Sequence, residues 1–144
     1  MLNDNYVSGW WLLLAAWLLA AIASMSAIYI GEVLGQSPCI LCWFQRAFMF
    51  PLAVILAIAC FNSDLAVWRY ALPLASIGAL FAMYHSLLYV GLIPQEIKPC
   101  TATGPSCSGA EMTIFGGVPL PFLALGVFAA IIILLLYIRR RMLS

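Results

Sequence analysis

The stretch CILCWFQRAFMFPLAVILAIACF, residues 39–61, carries one charged side chain, Arg46, in 23 positions. A helix rising about 1.5 Å per residue crosses a bilayer core about 30 Å thick with about 20 apolar residues. The stretch therefore reads as a membrane-spanning helix with a Cys-x-x-Cys pair at one mouth. Working outward, residues 9–30, 67–92 and 118–138 meet the same requirement. With 66% hydrophobic and 8% charged residues in 144, the chain has too little polar surface to coat a water-soluble domain. The fold class expected is all-α integral membrane: a single membrane domain, 1–144, built as a four-transmembrane-helix bundle in the lipid bilayer. A net charge of +1 offers no basic face for phosphates, so no nucleic acid partner is expected.

The first span has no Lys or Arg ahead of it, and its apolar run is too long for a signal-peptide core, so it reads as a retained helix. Pro51 and Pro73 fall inside the second and third spans as kinks, which a bundle tolerates because neighbouring groups satisfy the released carbonyls. Four spans put both termini on one side. Arg139, Arg140 and Arg141 after the last span, with Arg69 on the same side, mark that side as cytoplasmic. Trp10, Trp11, Trp68 and Tyr137 then form an inner aromatic belt, and Tyr29, Trp43 and Tyr89 an outer one. On this topology Cys39 and Cys42 open outward, Cys100 and Cys107 lie in an external loop over 93–117, and Cys60 alone lies at the inner end. Four thiols in an oxidising compartment suit two disulfide-capable pairs.

The first pair has chemical company. Ser37 as N-cap and Pro38 as first helical residue would put Cys39 and Cys42 in the opening turn, where unpaired N–H groups and the helix dipole favour a thiolate. Arg46, four residues past Cys42, would share its face and add a positive charge. An arginine inside a span costs about 2.5–3.5 kcal/mol on insertion scales and so points to a ligand or pathway, with snorkelling to the headgroups as the plainer account. His85 in the third span lies at the depth of Arg46, about 10 Å below the outer surface. A histidine in a helix is more often a structural hydrogen-bonder, yet two polar groups converging beneath Cys42 would suit a lipid-soluble electron acceptor with two carbonyls. In the second pair, Gly104-Pro105 is a turn signal that lets Cys100 and Cys107 meet, either as a plain staple or as an exchange-accessible disulfide. Cys60 reads as an inert thiol.

The run from Cys39 to Arg46, the Tyr84-His85 pair and the second external pair resemble the DsbB/BdbC family of disulfide-bond formation proteins, in its short-loop BdbC-like branch, over almost the whole chain. The resemblance implies a thiol:quinone oxidoreductase of the bacterial cytoplasmic (inner) membrane, with its redox loops facing the periplasm or outside. It implies a DsbA-like thioredoxin-fold oxidase as partner and the membrane quinone pool, ubiquinone or menaquinone, as cofactor. It further implies that Cys100 takes the mixed disulfide, that a Cys39–Cys107 bridge relays the electrons, and that Cys42 donates to a quinone assisted by Arg46 and His85. The six residues between Cys100 and Cys107 depart from the much longer segment of enteric-type members, so the interloop bridge requires the short loop to swing. Three rivals stand beside this reading. A vitamin K epoxide reductase-like enzyme would carry the cysteine pairs in the opposite order. A zinc site on the four external cysteines would show in metal content. A disulfide-stapled tetraspan scaffold or transporter subunit would reduce no quinone.

Overall fold

The computed structural model describes residues 4–94, 113, 114 and 116–144. Among the described residues, four helices are long and apolar enough to span a membrane. Helix α1 (Asp4–Ile28) runs into a π-helical turn (Tyr29–Val33). Helix α2 (Ile40–Asn62) is followed by a 3-10 turn (Leu65–Val67) and by α3 (Trp68–Val90). A two-residue antiparallel hairpin, β1 (Thr113–Ile114) and β2 (Val118–Pro119), leads into α4 (Leu120–Leu143). The principal packing is cyclic: α1 on α2, α2 on α3, α3 on α4, and α4 back on α1.

Each helix buries a seam whose members recur at three- and four-residue steps, the spacing that keeps one stripe facing a bundle axis. The seams are Leu13, Ala16 and Ala20 on α1, Leu52 and Leu56 on α2, Ala71, Ala75 and Ala82 on α3, and Phe128, Ile131, Leu135 and Ile138 on α4. Between them Gly78 completes the α3 stripe, and a Cβ there would overlap the Phe128 ring. Small residues on α3 thus let α4 approach closely, which is how helices associate where lipid removes the hydrophobic drive between them. Outside the seams, Leu18, Ile22, Val54, Ile58, Leu80 and Ile133 are exposed, an apolar exterior that only lipid suits.

One end of the bundle is tied by polar contacts. The Tyr6 hydroxyl donates to the Ser63 carbonyl at 2.7 Å, and Trp10 Nε1 donates to the Cys60 carbonyl at 3.2 Å. Ser63 closes α2 with a left-handed backbone (φ 53°), and the Asp64 carboxylate accepts from Ala66 N at 2.9 Å to start the next turn. The guanidinium carbons of Arg69 and Arg139 lie 5.7 and 5.3 Å from the Trp68 ring centre. The start of α1 and the end of α4 share this basic end, and Cys39 and Cys42 lie at the other.

The element ends differ from the expected ones. Helix α1 starts earlier and continues through the π turn to Val33, α3 stops at Val90 with Gly91 (φ 83°) as its left-handed cap, and residues 118–119 are strand. Both Pro51 and Pro73 sit inside unbroken helices. The expected capping by Ser37 and Pro38 is overturned: α2 begins at Ile40, and Cys39 itself is the N-cap residue, with an extended backbone (φ −71°, ψ 170°). The physical reason is local. The extended backbone of Cys39 (ψ 170°) breaks the helical path after Pro38, so Ser37 and Pro38 stay outside the helix. The first α-helical hydrogen bond then forms from Trp43 N to the Cys39 carbonyl at 3.1 Å.

Candidate active site

The two sulfurs at the start of α2 face each other. Cys39 Sγ lies 3.4 Å from Cys42 Sγ, the spacing of contacting thiols, since a disulfide bond would bring them to about 2.05 Å. With Cys39 at the N-cap, Cys42 is the third helical residue, so it remains in the turn whose N–H groups favour an anion. Cys39 is 2% exposed, in an apolar cluster with Leu41, Leu88, Tyr84 and Tyr89, while Cys42 is half-buried.

His85 arrives from α3, fully buried, with Nε2 3.8 Å from Cys39 Sγ. Its other ring nitrogen, Nδ1, lies 3.0 Å from the Gln45 side-chain nitrogen. A Gln45 amide that donates to Nδ1 leaves the ring proton on Nε2, aimed at the Cys39 sulfur. Gln45 is itself buried, on the inward face of α2 that also carries Leu41, Met49 and Leu52. Sequence reasoning missed it. The signal was available: a glutamine at an inward position of an apolar helix needs a buried partner.

Arg46 is directed elsewhere than its sequence spacing implied. Its Nη2 donates to the Ala27 carbonyl of α1 at 2.7 Å, and its Cζ lies 5.7 Å from the Trp43 ring centre. A Cβ at Gly31 would stand 3.2 Å from Nη2 and 3.3 Å from Nη1, so the bare glycine backbone in the π turn is what lets the guanidinium lie against α1. The structure therefore brings Cys39, Cys42 and His85 together, joins Gln45 to them, and anchors Arg46 across the α1–α2 interface. The two sulfurs and the histidine nitrogen lie within 4.8 Å of one another. Phe44 and Phe48 stack on Phe81, centroids 5.0 and 5.5 Å apart, and close the α2–α3 side below the pair. Cys100 and Cys107 lie outside the described residues.

Such a cluster can hold two thiols in contact, stabilise a thiolate and exchange a proton with it. Known proteins place it further. The sequence pattern of the family described as "Disulfide bond formation protein DsbB" matches residues 8–138. A "Probable disulfide formation protein" of Metapseudomonas resinovorans is 70% identical over 132 residues, 92% of each chain. "Disulfide bond formation protein C" of Bacillus subtilis (strain 168) is 44% identical over 121 residues, covering 84% of this chain and 87% of its own. A "Probable disulfide formation protein" of Deinococcus radiodurans is 40% identical over 134 residues, covering 88% and 87% of the two chains. No solved structure matches. A thiol pair at the mouth of four membrane-length helices, together with these likenesses along nearly the whole chain, means that the chain belongs to the DsbB family of disulfide bond formation proteins.

Proposed function

We propose that this multi-pass membrane protein reoxidises an extracytoplasmic, DsbA-like thioredoxin-fold oxidase and passes the electrons to a membrane quinone. The observation that carries the reading is the contact of Cys39 with both Cys42 and His85 inside an apolar bundle. In disulfide exchange an incoming dithiol becomes a disulfide while the Cys39–Cys42 disulfide becomes a dithiol. Regenerating that disulfide forms one S–S bond and removes two electrons and two protons. Within lipid, a quinone supplies a two-electron, two-proton sink.

The residues present fit such a group. Arg46 spends one N–H on Ala27 and has further donors in a fixed planar fork for a carbonyl oxygen. Cys42, less buried than Cys39, is the sulfur assigned to face the quinone. Imidazole Nε2 is placed to exchange a proton with Cys39 as the pair opens and closes. Cys100 is assigned the mixed disulfide with the partner oxidase and Cys107 the bridge to Cys39. Because Cys39 is only 2% exposed, that bridge requires its surroundings to rearrange. The cysteine end is assigned to the outside of the bacterial cytoplasmic membrane and the arginine end to the cytoplasm.

The test is reduction of a soluble quinone by the purified protein supplied with a reduced thioredoxin-fold partner. Wild type turns over, and Cys42→Ser is expected to stop at less than a hundredth of that rate. Normal turnover by Cys42→Ser would overturn the mechanism.

A further inference from the structure

Redox work leaves one property of the cluster unused: its three ligand atoms surround a single point. Cys39 Sγ is 3.4 Å from Cys42 Sγ and 3.8 Å from His85 Nε2, and all three lie within 4.8 Å of one another. Ligands bound in a trigonal plane to one ion at about 2.3 Å for sulfur and about 2.0 Å for nitrogen stand about 4.0 Å (sulfur to sulfur) and about 3.7 Å (sulfur to nitrogen) apart. The Cys39–His85 separation therefore already matches a three-coordinate site, and rotation of the Cys42 side chain opens the sulfur–sulfur distance and closes the remaining one. Behind the ring, Gln45 meets Nδ1 at 3.0 Å. Turned to present its oxygen, the same amide accepts from Nδ1–H, which is the outer partner that a metal-bound imidazole uses to fix its tautomer. The ion would sit beside the apolar cluster of Leu41, Leu88 and Tyr84 that packs with Cys39. Soft thiolates, three protein ligands and apolar neighbours suit Cu(I), whereas Zn(II) seeks a fourth ligand to complete a tetrahedron.

We propose that the reduced Cys39–Cys42 pair and His85 bind one Cu(I) ion in a three-coordinate site, with Gln45 orienting the imidazole. Binding breaks two S–H bonds, moves the imidazole proton from Nε2 to Nδ1, forms two Cu–S bonds and one Cu–N bond, and releases the two thiol protons; no electron is transferred. A Cys39–Cys42 disulfide has no thiolate to give, so only the dithiol state takes the ion. Copper would then hold the protein out of disulfide exchange, a consequence that rests on the proposed function, as the binding itself does not.

The experiment uses the full chain in detergent, reduced and anaerobic, with Cys60→Ser, Cys100→Ser and Cys107→Ser combined so that the pair supplies the only thiols. Titration with Cu(I) against a chromophoric Cu(I) chelator should give one ion per chain, at least tenfold weaker binding in His85→Leu, and none after oxidation of the pair. X-ray absorption of the loaded protein, which needs no variant of His85, should show two sulfurs and one nitrogen on copper. A chain that loses all copper to the chelator, a sulfur-only shell, unchanged affinity in His85→Leu, or displacement of Cu(I) by equimolar Zn(II) would each overturn the proposal. Quinone reduction enters none of these readouts, so either proposal can fail while the other stands.

Discussion

A buried imidazole has two ring nitrogens to satisfy, and each of those on His85 has a different neighbour: Gln45 at Nδ1 and Cys39 at Nε2. The pair at Nδ1 is the one that sets ring orientation, because a carboxamide is a stronger hydrogen-bonding group than a sulfur. Removing it with Gln45→Leu strands Nδ1 in the bundle interior, at a cost of about 1–3 kcal/mol. Thermal unfolding in detergent should register that loss. The double variant Gln45→Leu with His85→Leu should be more stable than the sum of the single losses, since it leaves neither polar partner stranded. Strict additivity would mean that the two side chains do not act as a pair. Cys39, Cys42, Arg46 and His85 were legible as candidates because charge, imidazole and thiols are conspicuous in an apolar chain. Gln45 was not, because a neutral amide carries no such mark. Nor was the direction of Arg46, since helical spacing ties it equally to Cys42 and to its own helix neighbour Trp43, and only packing reveals that the Ala27 carbonyl lies within reach.

At the scale of elements, two glycines decide what can pack. In the π turn, Gly31 leaves the space that the Arg46 guanidinium occupies. Gly31→Leu is expected to push the guanidinium off the Ala27 carbonyl. If Arg46 holds the quinone, the measured KM for quinone should rise at least tenfold while the fold survives; an unchanged KM would remove Arg46 from quinone binding. On α3, a Cβ at Gly78 overlaps the Phe128 ring, which is fully buried. Gly78→Ala should destabilise the bundle by about 1–3 kcal/mol, the usual cost of overpacking, and Phe128→Leu in the same chain should recover part of it. Thermal unfolding of the two variants checks this. The four spans were legible because length and hydropathy alone decide them. Their ends were not. Whether α2 starts at Pro38 or Ile40 turns on a few backbone dihedrals, and the π turn beyond α1 leaves no mark in hydropathy.

The whole molecule is polar in the sense of having two unlike ends. Arg69 and Arg139 flank Trp68, and Arg140 and Arg141 stand in the last turn of α4, so four guanidiniums collect where the helices α1 and α4 begin and end. Cys39, Cys42 and the β1–β2 hairpin occupy the opposite end. Basic residues are retained on the cytoplasmic side during insertion, and on that rule the proposed topology puts the arginine end inside and the thiol pair outside. The contrast can be measured in cells. In a chain whose native cysteines are all replaced by serine, Val118→Cys puts a thiol at an exposed position of β2, and Asn62→Cys puts one at the exposed last residue of α2. A membrane-impermeant maleimide added to intact cells should label Val118→Cys at several times the level of Asn62→Cys, and permeabilisation should bring the two to parity. Labelling of Asn62→Cys alone would invert the topology. The Cys39–Cys42 pair would then face a reducing compartment, where glutathione and thioredoxin keep thiols reduced and reoxidation of an extracytoplasmic oxidase could not take place.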